Sequence, residues 1–180
     1  MRRLAAALGA GTMSLYNHVS DKADLQSLLL DAVFMNAAIQ EDDAPWDEKA
    51  KAALRAIRDA VNRHPALAPL LPARPTASAA ALRPIEALLS ALRQGGFQDR
   101  ELLHAYHLLF GYLTGSILTD PAGPAARERK RSTKEVASEI AALDLAAFPN
   151  LASIAAIAET VSADEEFEFG LKTIFAGLAP

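Results

Sequence analysis

The chain has 180 residues, 51% hydrophobic and 22% charged, a balance that excludes a disordered polymer and suits a globule with a sizeable core. It contains no cysteine, which excludes disulfides, thiolate metal sites and cysteine nucleophiles. Asp31, Arg83, Arg93 and Asp120 interrupt every apolar run before the roughly 20 residues of a membrane helix, and Ala5 to Leu8 is too short for a secretory signal, so a cytoplasmic protein with no membrane partner is expected.

Ala, Leu, Arg and Glu dominate and aromatics make up only 6%, which favours helix over strand. Helix-period patterns run through nearly the whole chain, and an all-α fold is predicted. Arg2 to Leu8 reads as a short helix stopped by Gly9 and Gly11, and Thr12 to Val19 as a second. Ser20 stands as an N-cap, with Asp21 and Asp24 in the first turn of a third helix, where acids are favoured. That helix places Leu25, Leu28, Leu29, Ala32 and Val33 on one stripe and runs to about Ile39. Glu41-Asp42-Asp43 and Pro45 mark a boundary, dividing the chain into a unit at 1–40 and a larger one at 45–180.

Pro45 suits the first position of the next helix, whose core stripe is Trp46, Ala50, Ala53, Leu54, Ile57 and Val61. Pro65, Pro69, Pro72 and Pro75 permit only a short turn around Ala66 to Leu71. A further helix spans Ser78 to Gln94 with Leu82, Ile85, Leu89 and Leu92 inward; Pro84 kinks it or marks its start, and Gly95-Gly96 ends it. Two helices are apolar on nearly every side. Asp99 to Thr119 turns Leu102, Leu103, Tyr106, Leu109, Phe110, Leu113 and Ile117 one way, and Leu108, Gly111, Tyr112, Gly115 and Leu118 another. Ala163 to Leu178 sets Phe167, Gly170, Leu171, Ile174, Phe175 and Leu178 on one side, and Phe169, Thr173, Ala176 and Gly177 off it. Such helices are buried on both sides, and for the last helix the second side is expected to be another subunit. Between them, Pro121 to Lys134 reads as a loop, followed by helices at about Thr133 to Leu145 and Asn150 to Val161.

Charge is uneven despite the net value of −4, because the first 22 residues hold Arg2, Arg3 and Lys22 against one acid, Asp21. Residues Arg2 to Val19 have helix-turn-helix spacing. Ala5 is small enough for the crossing, Gly9 can take the positive φ of the turn, and Leu4, Leu8, Leu15 and Val19 form the joint. Thr12, Met13, Ser14, Tyr16, Asn17 and His18 then point outward. Thr12 and Ser14 can hydrogen-bond base edges, Met13 can touch a thymine methyl, and Asn17 can do either base or phosphate work. Tyr16, His18, Lys22, Arg2 and Arg3 suit the flanking phosphates. Spacing alone also fits a plain corner between two helices.

Leu8-Gly9-Ala10-Gly11-Thr12-Met13-Ser14-Leu15-Tyr16-Asn17-His18-Val19, followed by Asp21-Lys22 and Leu25, resembles the recognition helix and following helix of TetR-family regulators. Trp46, Arg74-Pro75-Thr76, Gln94-Gly95-Gly96-Phe97 and Phe167-Glu168-Phe169-Gly170-Leu171 resemble the C-terminal domain of the tetracycline-repressor branch. The resemblance implies a ligand-responsive repressor that binds operator DNA as a homodimer. Its bundle would pair Asp99 to Thr119 and Ala163 to Leu178 with their copies, Gly111 and Gly115 allowing close approach. It further implies an effector cavity among Ile57, Val61, Leu89, Leu92, Leu103, Tyr106, His107, Phe110 and Phe148, with Tyr106 and His107 as polar anchors. At the positions of that branch's magnesium–tetracycline histidines stand Ala38 and Leu70, so a more hydrophobic effector and no magnesium–tetracycline binding are expected. The family's domain also opens with a further helix, whereas this chain opens on the first helix of the motif. Poor order and weak DNA binding there are the expectation, and the alternative is a helical ligand-binding and dimerisation module that no longer binds DNA.

Other clusters carry less. His104 and His107 have metal-ligand spacing but no third ligand, and one surface and one packed histidine is the preferred reading. Glu165, Glu166 and Glu168 read as first-turn acids. Arg127, Arg129, Lys130, Arg131 and Lys134, interleaved with Glu128 and Glu135, read as a solvated loop. With no nucleophile–base set, phosphate loop or metal triad, no enzyme activity, cofactor or metal is expected.

Overall fold

In a computed structural model of the chain, the structure describes residues 1–37, 39, 43–72, 78–120, 147–158 and 160–180. All regular elements among them are helical: α1 Arg2–Ala7, α2 Thr12–Tyr16, α3 Lys22–Met35, α4 Trp46–Asn62, a 3₁₀ turn Pro65–Leu70, α5 Ala79–Gln94, α6 Asp99–Thr119, α7 Pro149–Ala158 and α8 Ala163–Gly177. The predicted loop Pro121 to Lys134 with its basic cluster, the helix Thr133 to Leu145, Ala38 and Arg74-Pro75-Thr76 lie outside the described residues.

The core is a packing of α4, α5 and α6, with α3 and α8 against its sides. Alanines let these helices approach: Ala50, Ala53 and Ala60 on α4, Ala81 and Ala91 on α5, and Ala105 on α6 are all buried. Leu54, Ile57, Val61, Leu88, Leu92, Leu109 and Leu113 interdigitate between them. The stripe expected for α4 is the buried one, with Trp46 half-buried at its head. Helix ends follow sequence chemistry. Gly96 takes φ +99 after the α5 cap, letting its amide reach Arg93 O and the Phe97 amide reach Leu92 O, a Schellman closure with Phe97 as its apolar contact. Gly95 is required for a different reason: a Cβ there would sit 2.5 Å from the Trp46 ring. Ser162 caps α8 in a capping box, its hydroxyl accepting from the Glu165 amide while the Glu165 carboxylate accepts from the Ser162 amide at 2.8 Å. These bonds hold the Glu165 carboxyl below its usual range.

Several sequence expectations are corrected. Asp21, not Ser20, caps α3, accepting from the Asp24 amide at 2.8 Å, while Ser20 donates to the Asp24 carboxylate. On α3 the buried stripe is Leu30, Val33 and Phe34, with Asp31 beside it, and Leu28, Leu29 and Ala32 are exposed. With leucines at 25, 28, 29 and 30, several stripes fit the helical period, and packing on α5 selects one. On α5, Leu82 is exposed and Ala81, Pro84 and Leu88 are buried; Pro84 lies inside the helix rather than at its start. Pro45 precedes α4 as its cap rather than opening it. α3 ends at Met35 and α7 at Ala158, short of the expected Ile39 and Val161.

Candidate functional site

α1 and α2 meet at a corner built from Ala5 and Gly9. Ala5 is buried where the helices cross. Gly9 takes φ +63 with open space around it, so the turn needs glycine for its backbone and not for room. Its amide donates to Ala6 O and the Ala10 amide to Ala5 O, the same Schellman closure that ends α5. α2 follows at once, and Val19 is buried behind it with Leu15 half-buried.

On the other side of α2 stand Met13, 77% exposed, with exposed Ser14 and Tyr16; the helix ends at Tyr16, short of the expected Val19, and Asn17 and His18 are exposed in the turn that follows. Arg2, Arg3 and Lys22 are exposed at the flanks. Thr12 opens the helix, its side chain lying outside what is described. The arrangement presents a short polar rod with cations on both sides, the shape and chemistry of a major-groove reader. Leu8, expected in the joint, is 62% exposed: as the C-cap it points away from the corner that Ala5 and Val19 close.

The residues expected around an effector separate into three groups. Ile57, Val61 and Leu92 are sealed in the core. Leu89, Tyr106 and Phe110 lie half-buried on its margin, with the Tyr106 and Phe110 rings stacked 5.5 Å apart and burial pushing the Tyr106 phenol up. Leu103, His107 and Phe148 are exposed. Leu103 therefore belongs to the outer face of α6, and neither His104 nor His107 is packed inside.

A cleft that sequence reasoning did not name lies between the end of α3 and α5. Its volume is about 540 Å³, and Phe34, Met35, Ala37 and Ile39 face Arg83, Pro84, Glu86, Ala87 and Ser90 across it. The available signal was the apolar run Val33-Phe34-Met35, with Ala37 beyond Asn36, set against a kink-prone Pro84. A second cleft, of about 380 Å³, separates α6 from α8 beside Tyr112, Gly115, Ser116, Phe169 and Gly170.

Charges knit α8 to α4. Arg55 makes two bonds of 2.7 Å to Glu168, which hold that carboxyl below its usual range; Glu168 is thus an ion-pair partner rather than a first-turn acid. Buried Arg58 donates to Asp164 at 2.6 Å and lies 4.6 Å over the Phe167 ring. Tyr112 stacks on Phe167 at 5.7 Å and donates to the Glu166 and Phe167 carbonyls. Outside this joint, Leu103 and Leu108 on α6 and Phe169, 73% exposed, on α8 are uncovered, and a Cβ at Gly111 or Gly115 would meet nothing. Among the described residues no helix is long and apolar enough to cross a membrane.

Known proteins share this architecture. The family model described as the tetracyclin repressor-like C-terminal domain matches residues 40–180. The HTH-type transcriptional repressor DrrR1 of Streptomyces coeruleorubidus is 32% identical over 187 residues, covering 99% of this chain and 68% of that protein. The TetR family protein ActR of Streptomyces coelicolor, solved in complex with actinorhodin, superposes with a TM-score of 0.79 at 28% identity over 99% of this chain and 85% of its own. A possible TetR family transcriptional regulator from Streptomyces coelicolor A3(2) superposes with a TM-score of 0.82 at 26% identity, over 98% of this chain and 87% of its own. A helix-turn-helix in front of an all-helical domain, matched by sequence and by shape, places this chain in the TetR family of transcriptional regulators, as a repressor-type regulator and not an enzyme.

Proposed function

We propose that the chain works in the cytoplasm as a homodimer that binds operator DNA through α1 and α2 and loosens its hold when a mostly apolar effector enters the larger unit. The observation that carries this reading is the two-sidedness of α2 and the turn after it: Met13, Ser14, Tyr16, Asn17 and His18 exposed, Leu15 half-buried and Val19 buried. Two heads reading half-sites a helical turn apart need a fixed separation. The exposed apolar faces of α6 and α8 supply the surface through which two copies would associate.

The effector reading rests on the cleft at the end of α3 and on the aromatic margin of Tyr106 and Phe110. Its α3 side is apolar, from Phe34, Met35, Ala37 and Ile39, while the α5 side carries Arg83, Glu86 and Ser90, so the cleft offers apolar surface together with polar groups that can orient a ligand. A ligand that prefers one head spacing shifts the equilibrium by its differential affinity for the two states. The ActR relative was solved with actinorhodin bound, which makes that compound the first probe.

The experiment is selection of duplexes from a random pool by the chain, followed by anisotropy titration. Recovery of a palindromic sequence with half-sites a turn apart is expected, with Asn17→Ala costing about 1–3 kcal/mol on that site. Arg2→Ala should weaken all duplexes alike and reduce the salt slope by about one. Selection that returns no shared sequence defeats the repressor reading and leaves a ligand-binding dimerisation module.

A further inference from the structure

The end of α3 is closed by a set of bonds that reach outside the helix. Ala32 O accepts from the Asn36 side-chain amide at 2.7 Å, Val33 O from the Asn36 backbone amide and Phe34 O from that of Ala37. The Asn36 carbonyl accepts from Arg63 Nη2 at 3.2 Å, and Arg63 is the residue that caps α4. A helix C-terminus carries partial negative charge, so a guanidinium is favoured there. One cation thus ties the far end of the head's longest helix to the end of the first helix of the larger unit.

The same stretch forms a wall of the cleft described above. Met35 and Ala37, which flank Asn36, line it opposite Pro84 and Ala87. A ligand seated there presses on both neighbours of the carbonyl that Arg63 holds. α3 has 14 residues, about 21 Å of helix at 1.5 Å per residue, so Arg63 stands about that far from Lys22 at its start. A group so placed acts on the head through the helix and not by touching the same duplex.

We propose that Arg63 is a latch: its bond to the Asn36 carbonyl holds α3 in the position that sets the heads for DNA, and an apolar ligand in the adjoining cleft works by displacing Met35, Asn36 and Ala37 from it. This positioning role rests on the repressor reading above. Arg63 touches neither DNA nor ligand, and its contribution is to the equilibrium between two positions of α3.

The test compares Arg63→Ala and Arg63→Lys in the full chain on the selected duplex. Arg63→Ala is expected to lose roughly fivefold to tenfold in operator affinity, the lower part of the range for coupled sites. Arg63→Lys keeps a cationic donor and should retain most of it. The salt slope should stay at the wild-type value, since no phosphate contact is lost, and amide exchange should quicken at Asn36 and Ala37 but not along α4. Equal operator affinity for Arg63→Ala and the wild type overturns the latch. So does a shallower salt slope, which would mean that Arg63 meets phosphate directly. A wild-type chain that selects no duplex fails one step earlier, and takes down the repressor reading together with the latch.

Discussion

Gly170→Ala tests the joint between α6 and α8, because the sign of its effect depends on one other side chain. A Cβ at Gly170 would fall on the Tyr112 hydroxyl and the ring carbon that bears it, so the ring cannot stay where it is. Leaving, it gives up a shared hydrogen bond to the Glu166 and Phe167 carbonyls, worth about 1 kcal/mol. It also gives up a parallel stack on Phe167, worth about 0.5–1.5 kcal/mol. Alanine regains about 1 kcal/mol over glycine as a helix former. The net expectation is a loss of about 1 kcal/mol in the wild-type background. In a Tyr112→Ala background the obstacle is gone, and the same change should stabilise by up to about 1 kcal/mol. Urea unfolding of the four proteins at one protein concentration, needed because association shifts apparent stability, measures a coupling of roughly 2 kcal/mol. Equal effects of Gly170→Ala in the two backgrounds would refute the reasoning.

The acid limb of stability should follow the ion pairs of α4. Hydrogen bonds from Arg55 lower the Glu168 pKa and those from Lys51 lower that of Asp47, so each contributes above the ordinary carboxylate range and is lost as pH falls through the depressed folded value. Both pairs are partly exposed, which limits each to about 0.2–1 kcal/mol; urea midpoints should fall only on the acid side, and less for Arg55→Met than for the wild type. Phe169→Glu should shift sedimentation toward monomer, since it adds an acid to an exposed apolar face, and an unchanged dimer would remove α8 from the interface. Arg58→Met should be near neutral in melting temperature. Its buried Nε has no partner, and a well-packed apolar replacement of a buried charge costs little; a loss above about 3 kcal/mol would mean that the bond to Asp164 outweighs the desolvation of the guanidinium.

What could be read in advance was local. Gly9 and Gly96 announce themselves because a turn that demands positive φ admits little else, and the stripe of α4 follows because it has one apolar face that fits. α3 failed because leucines surround it, so that the period alone does not say which face meets α5. The outer face of α6 was divided wrongly at Leu103 for the same reason. Arg58 and Arg63 were invisible, since nothing in the scattered charges of α4 says which arginine finds a ring, an acid or a helix end. The cleft at Met35, Ala37 and Ile39 arises between elements some fifty residues apart, and the apolar residues there do not say which distant segment faces them.

The scale of the switch bears on what the effector must be. Moving a two-state equilibrium from 1:99 to 99:1 takes about 10⁴-fold differential affinity. Shared between the two identical clefts of the proposed dimer, that is about 100-fold each, or roughly 2.7 kcal/mol. At about 25 cal/mol per Å² of apolar surface, each ligand need bury only about 110 Å² more in one position of α3 than in the other. Met35 is 61% exposed at the mouth of the cleft and Ile39 is half-buried beside it, so surface of this order lies on the segment that would move. An effector of the proposed switch therefore needs no metal-strength anchor: an apolar body that covers Met35 and Ile39 in one state and leaves them uncovered in the other supplies enough free energy.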